Sequence, residues 1–283
     1  MLDHIRALMA PPAGMDFDFA EPKGEAALVL ADSISWAIFR NPVTLFIGGV
    51  AAVVLELAEP SVRTGVWEHS SFRRDPVGRL KRTGFAAMMT VYGPKSAAEA
   101  MIAHVVAMHD KVRGETPDGT PYHANDVRLL NWVQATASFG FIEAYSVFAR
   151  PLSRAEVSQA FAEGAGAARL YGAAGAPMSV DAWEAMLAET LPGLEGSAIL
   201  HEFLTMMGDA PLLPRPTRPV QKMLVRAAVD LVPGEVRARI GLSAPRYGLS
   251  AVERQVVKVM AWAAERAPMP GAPPVEAARR VSA

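Results

Sequence analysis

At 283 residues the chain is long enough to bury a sizeable core without covalent staples. Hydrophobic residues make up 51% and charged residues 20%, with a mean hydropathy of +0.17, a balance that excludes disorder. A formal net charge of -1 offers no basic excess for nucleic acid, and the absence of cysteine excludes disulfides, zinc–thiolate sites, iron–sulfur clusters and a thiol nucleophile.

The start, MLDHIRALMAPPAGMDFDF, lacks the basic-then-apolar order of a signal peptide, and a cysteine-free chain fits a reducing cytoplasm. Strand signals are scarce, while alanine, leucine, methionine, glutamate and arginine dominate long segments. The expected class is therefore all-α, a multi-helix globular domain. Its helices are predicted at about 24–38, 42–58, 76–91, 95–113, 126–149, 153–172, 179–190, 196–208, 217–232 and 249–266. Asn41-Pro42 and Asp75-Pro76 each read as a cap followed by proline in the first turn; Asp126 and Ser179 are further caps. The apolar run Val43–Leu55 is shorter than the roughly 18–20 residues that span a bilayer and reads as a buried core helix. Residues 115–126 form a turn-rich loop, and 210–219 a proline-rich connector. The expected organisation is one domain over 1–266, followed by a loose tail over 267–283.

Two of the six histidines, His104 and His109, fall on one predicted helix. At about 100° per residue, Val105, Ile102, Val106 and Val112 lie within about 60° of His109, whereas His104 lies about 140° away with Lys111. The two imidazoles do not share a face and cannot form an i,i+4 metal pair. An imidazole on the apolar face must satisfy both ring nitrogens. It is more often a satisfied core residue than a ligand; it would nevertheless suffice as the one axial ligand of a haem. Upstream, Arg79, Arg82, Thr83 and Ala86 are spaced to share a helix face beside the apolar run GFAAMMTVYG. The arginines either lay their stems on the core or aim at an anionic or oxygen-bearing ligand.

The order EPSVRTGVWEHSSFRRDPVGRLKRT, MHDKVRG, PDGTPYHANDVRLLNWVQAT and the tyrosine of FIEAY resembles the MpaB-like and rubber-oxygenase (latex-clearing protein) family over roughly residues 40–240. The resemblance implies an all-helical fold with globin-like packing, haem b on an axial histidine, and dioxygen-dependent cleavage of isoprenoid double bonds. His109 matches the axial histidine. Arg79 and Thr83 match the family's distal arginine and threonine, and Arg82 stands where a lysine is usual. A guanidinium stays protonated and is a poor iron ligand, so no distal lysine–iron bond is expected. Glu59 and Gln134 replace two histidines of the usual pattern, Glu59 reading slightly better as a solvent-facing helix end than as a polar group near the site.

The leading expectation is a haem-b-dependent oxygenase-like protein, with His109 as iron ligand. Arg79, Arg82 and Thr83 would anchor propionates or polarise oxygen, and the substrate would be a small apolar, isoprenoid or unsaturated lipid. The alternatives are a non-catalytic haem- or apolar-ligand-binding helical protein, and a helical protein whose family site has decayed. Self-association is left open. His69 is an even choice between pocket and surface, His123 reads as solvated loop, His201 as amphipathic filler and His4 as terminal. Trp132 and Phe139 read as core rather than a cofactor box. No phosphate-binding loop and no GxSxG elbow is present.

Overall fold

A computed structural model describes residues 17–283. Helix α1 (Ile34–Arg40) is capped by Ser33, whose hydroxyl accepts from the Trp36 amide. Helix α2 (Pro42–Ala58) starts where Asn41 accepts from the amides of Val43 and Thr44. The same Asn41, fully buried, donates through Nδ2 to the Ala261 carbonyl and the Glu265 carboxylate, each at 2.9 Å. Helix α3 (Pro60–His69) is capped by Glu59 and helix α4 (Pro76–Tyr92) by Asp75. Helix α5 is Lys95–His109, and a two-stranded antiparallel hairpin follows, β1 (Arg113–Glu115) with β2 (Pro121–His123), in the register Gly114↔Tyr122. Helix α6 (Val127–Phe148) is the longest. The remainder is α7 (Arg154–Glu163), α8 (Ala165–Leu170), α9 (Val180–Thr190), α10 (Ala198–Asp209), α11 (Arg218–Leu231), α12 (Gly234–Arg239), α13 (Ala251–Arg266) and α14 (Pro273–Val281). The all-α expectation holds, the hairpin being the only strand pair among the described residues.

The centre of the molecule is the crossing of α2 and α6, the most extensive helix contact in the fold. The crossing is set by glycines: a Cβ on Gly48 would stand 2.7 Å from the Gly140 carbonyl oxygen, and one on Gly140 would stand 2.4 Å from that of Gly48. Two helix backbones touch here, which only a residue without a Cβ permits. Around this axis pack Ile47, Leu55, Trp132, Phe203 and Leu200, all at most 2% exposed. Trp183 stacks against both Trp132 and Phe139, so these two aromatics are core. Among the described residues no single helix is long and apolar enough to cross a membrane; α1 and α2 pass such a test only as a pair bent by 97°. Val43–Leu55 is a core helix, as its apolar run predicts.

Several predicted bounds change for physical reasons. The segment 24–33 is not helical. Gly24 has φ +78°, Ala27 bridges Pro94, and the Glu25 carboxylate accepts from the Ser96 amide at 2.7 Å, so this stretch caps the start of α5 instead. Helix α5 stops at His109 rather than 113, because the chain turns into β1. The 153–172 segment breaks at Gly164. Helix α3 was not predicted although Glu59-Pro60 repeats the cap-then-proline signal used twice elsewhere. The expected loose tail is a correction: α14 docks, with Arg280 fully buried and donating to the carbonyls of Phe19 (2.7 Å), Glu25 (2.8 Å) and Tyr92 (2.7 Å).

Candidate functional site

Helices α4 and α5 pack on each other, joined by the turn at Gly93-Pro94. From Val77 to Ala87 no residue of α4 is fully buried, with Val77 and Leu80 resting half-buried on the core built around α2 and α6, and Val105, Val106 and His109 of α5 are half-buried. Further along, the Thr90 and Tyr171 hydroxyls lie 3.2 Å apart and Tyr171 reaches the Met101 sulfur at 3.9 Å, tying α4, α5 and the end of α8 together.

Arg79 of α4 is directed inward. Its guanidinium lies 5.6 Å from the centre of the Phe72 ring, and its Nε is buried with no hydrogen-bond partner. Burial pulls its pKa down, the Glu56 charge pulls it back up, and Arg82 lowers it further. Within reach of the Arg79 charge, Glu56 ends the apolar part of α2. Burial pushes its carboxyl pKa up to about 7, against the opposing pull of Arg79. His109 closes α5. Its Nδ1 is buried and unpaired, and burial, then the Arg79 cation, holds its pKa below the ordinary imidazole value. Three helices thus bring a neutral imidazole, a guanidinium and a carboxyl that titrates near neutrality into one electrostatic neighbourhood. A buried polar atom without a partner costs free energy and is uncommon in a finished core. Two of them, Arg79 Nε and His109 Nδ1, belong to this cluster.

Other sequence-predicted residues take different positions. His104 is exposed, as the helix wheel requires. Arg82 donates to the Ser71 hydroxyl at 2.6 Å and pairs with Asp75 at 3.5 Å, so its charge is engaged by the turn before α4. Thr83 is exposed and returns its hydroxyl to the Arg79 carbonyl at 3.0 Å. The sequence places Arg79, Arg82 and Thr83 on one face, yet only Arg79 joins His109. Glu59 does not face solvent. It is 6% exposed, accepts from the Val62 amide at 2.7 Å and pairs with Arg128 at 3.0 Å. Gln134 donates to Ser138 at 3.4 Å beside the α7–α8 break at Gly164. His69 is exposed and meets the Tyr122 hydroxyl at 3.2 Å; His123 lies 3.3 Å from the Asp110 carbonyl; His201 is exposed; and His4 lies outside the described residues. A surface hollow of about 590 Å³ runs along the hairpin and the start of α6, lined by Arg113, Tyr122, His123 and Arg128 among others, and contains none of Glu56, Arg79 and His109.

Sequence reasoning missed Glu56. The signal was present, since a carboxylate one turn from the end of an otherwise apolar helix has to find either water or a cation. Among the described residues no group of three histidine, aspartate or glutamate side chains is placed to hold a metal ion. The donor set suits a cofactor that brings its own equatorial ligands and asks the protein for one imidazole and for cations.

Over residues 36–266 the chain matches the family described as ER-bound oxygenase mpaB/B'/rubber oxygenase, catalytic domain. The class is thus that of oxygenase catalytic domains, and the chain belongs to this family. No curated protein and no solved structure matches it.

Proposed function

We propose that the chain is a haem-b-dependent oxygenase acting on a small apolar, isoprenoid or unsaturated lipid substrate with dioxygen. The observation that carries this reading is the buried, unpaired Nδ1 of His109 together with the unpaired Nε of Arg79, whose charge acts on both His109 and Glu56. His109 would supply the axial imidazole, which its depressed pKa keeps neutral and able to ligate at neutral pH. Arg79, and Arg82 if it leaves Asp75, would hold the propionates as charge-assisted hydrogen-bond donors. When bound, haem supplies the redox-active iron through which dioxygen is activated. Glu56, with its pKa near 7, is able to accept or return a proton at its carboxyl oxygens without a large penalty in either direction. The half-buried Val105 and Val106 and the buried Ile102 share the apolar face of α5 with His109, a surface suited to a hydrocarbon chain.

The non-catalytic reading draws support from Glu59 and Gln134, which stand at family histidine positions and are engaged in capping, ion pairing and helix-junction contacts. One sequence of measurements separates the two. Purified protein, supplied with haem if needed, is expected to show a Soret band that is lost or displaced in His109→Ala. No band, or one unchanged in the variant, overturns the ligand assignment. Oxygen uptake with a panel of unsaturated lipids then distinguishes an oxygenase from a binder.

A further inference from the structure

Helix α13 carries an apolar stripe that no described residue covers: Val252 is 74%, Val256 42%, Val259 54% and Trp262 56% exposed. At 100° per residue the four lie within about 120° of one another, on the side opposite the buried Val257 and Ala261 that seat the helix on the core. Single exposed apolar residues are ordinary, whereas a stripe with a tryptophan in it marks a contact surface. The exposed charges of α13 itself are one-sided. Both acidic residues of α13 are turned away: Glu253 pairs with Arg226 and closes the Ser250 capping box, and Glu265 accepts from Asn41. The exposed polar residues of α13 are Gln255, Lys258 and Arg266, and the Arg266 guanidinium lies 4.2 Å from the centre of the Trp262 ring.

We propose that this face of α13 docks on an anionic lipid surface. An apolar stripe with an aromatic anchor, edged by cations and free of acids, is the pattern of a helix lying in the bilayer interface. Charge decides against a second copy as the occupant. Two such faces laid together would oppose Lys258 and Arg266 with cations and with no exposed acid of α13, while a surface of anionic headgroups complements them. The inference is independent of the haem reading, because none of these residues belongs to the Glu56, Arg79 and His109 cluster.

The test is co-sedimentation of the full chain with vesicles of phosphatidylcholine alone and of phosphatidylcholine with one-third phosphatidylserine, with tryptophan emission recorded in parallel. Binding is expected to the anionic vesicles with a blue shift in emission, to weaken with salt, and to be slight on the neutral ones. Val259→Ser with Trp262→Ser is expected to weaken binding at least tenfold, and Lys258→Gln with Arg266→Gln by roughly 25-fold, about fivefold for each cation removed. These side chains are exposed, so the circular dichroism of both variants should match the parent; should one variant fail that control, the other decides. No binding to anionic vesicles, or binding unchanged in the correctly folded variants, overturns the proposal. So does a concentration-dependent dimer that Val259→Ser with Trp262→Ser dissolves, since the face would then be a self-interface.

Discussion

Replacing Glu56 with glutamine should change how stability depends on pH. In the unfolded chain this carboxyl titrates at its ordinary 4.5; in the fold, burial raises it to about 7, with the Arg79 cation pulling the other way. Below pH 4.5 both states hold the proton and the folded form carries no penalty. As the pH climbs, the unfolded chain releases its proton first, and stability falls until the folded carboxyl also ionises near 7. At about 1.4 kcal/mol per pH unit the interval corresponds to about 3 kcal/mol, an upper bound because the side chain keeps some solvent contact. Glutamine mimics the protonated form at every pH. Urea unfolding followed by far-UV circular dichroism, in steps from pH 5 to pH 8, should therefore show Glu56→Gln gaining roughly 2–3 kcal/mol over the parent across the series. A difference that stays constant from pH 5 to pH 8 would refute the argument, because the carboxyl could not then be desolvated.

The imidazole of His109 should titrate below the ordinary histidine value in an NMR pH series, and Arg79→Gln should move that titration upward by removing the neighbouring cation; a titration unmoved by the substitution would separate the two side chains. Gly48→Ala or Gly140→Ala forces a methyl group into backbone at the α2–α6 crossing and should cost about 3 kcal/mol in chemical denaturation. Arg280→Ala removes two buried and one part-buried hydrogen bond to carbonyls and should cost about 3 kcal/mol, whereas Arg82→Ala, losing a half-exposed pair, should cost at most about 1 kcal/mol. On the proposed haem reading, Arg82→Ala should also leave the Soret band in place, while Arg79→Ala should weaken haem retention, readable by transfer of haem to apomyoglobin.

The helices most readily foreseen were those with a side-chain cap and a continuous apolar stripe. Asn41, Asp75, Asp126 and Ser179 all act as caps in the structure, which is why α2, α4, α6 and α9 start where their sequences say. Periodicity alone separated His104 from His109, because facing is a local property of one helix. What periodicity does not carry is which side chains of different helices meet. Arg79, Arg82 and Thr83 look equivalent on a helix wheel, and only the packing of Ser71 and Asp75 against one and of Phe72 against another divides them. Glu56 became visible only when α2 was set opposite α4. The tail was misread because its small residues and prolines suggest mobility, while the feature that anchors it is one arginine whose three acceptors come from residues far away in sequence.

The Arg280 contact bears on where the working unit ends. The family match stops at residue 266, and the natural reading is to trim the chain there. Arg280 lies beyond that point and fastens Phe19, Glu25 and the Tyr92 carbonyl, the last residue of the helix that carries Arg79. Cutting at the edge of the match would remove all three bonds, so a fragment that keeps the end of that helix fastened has to extend past the matched span.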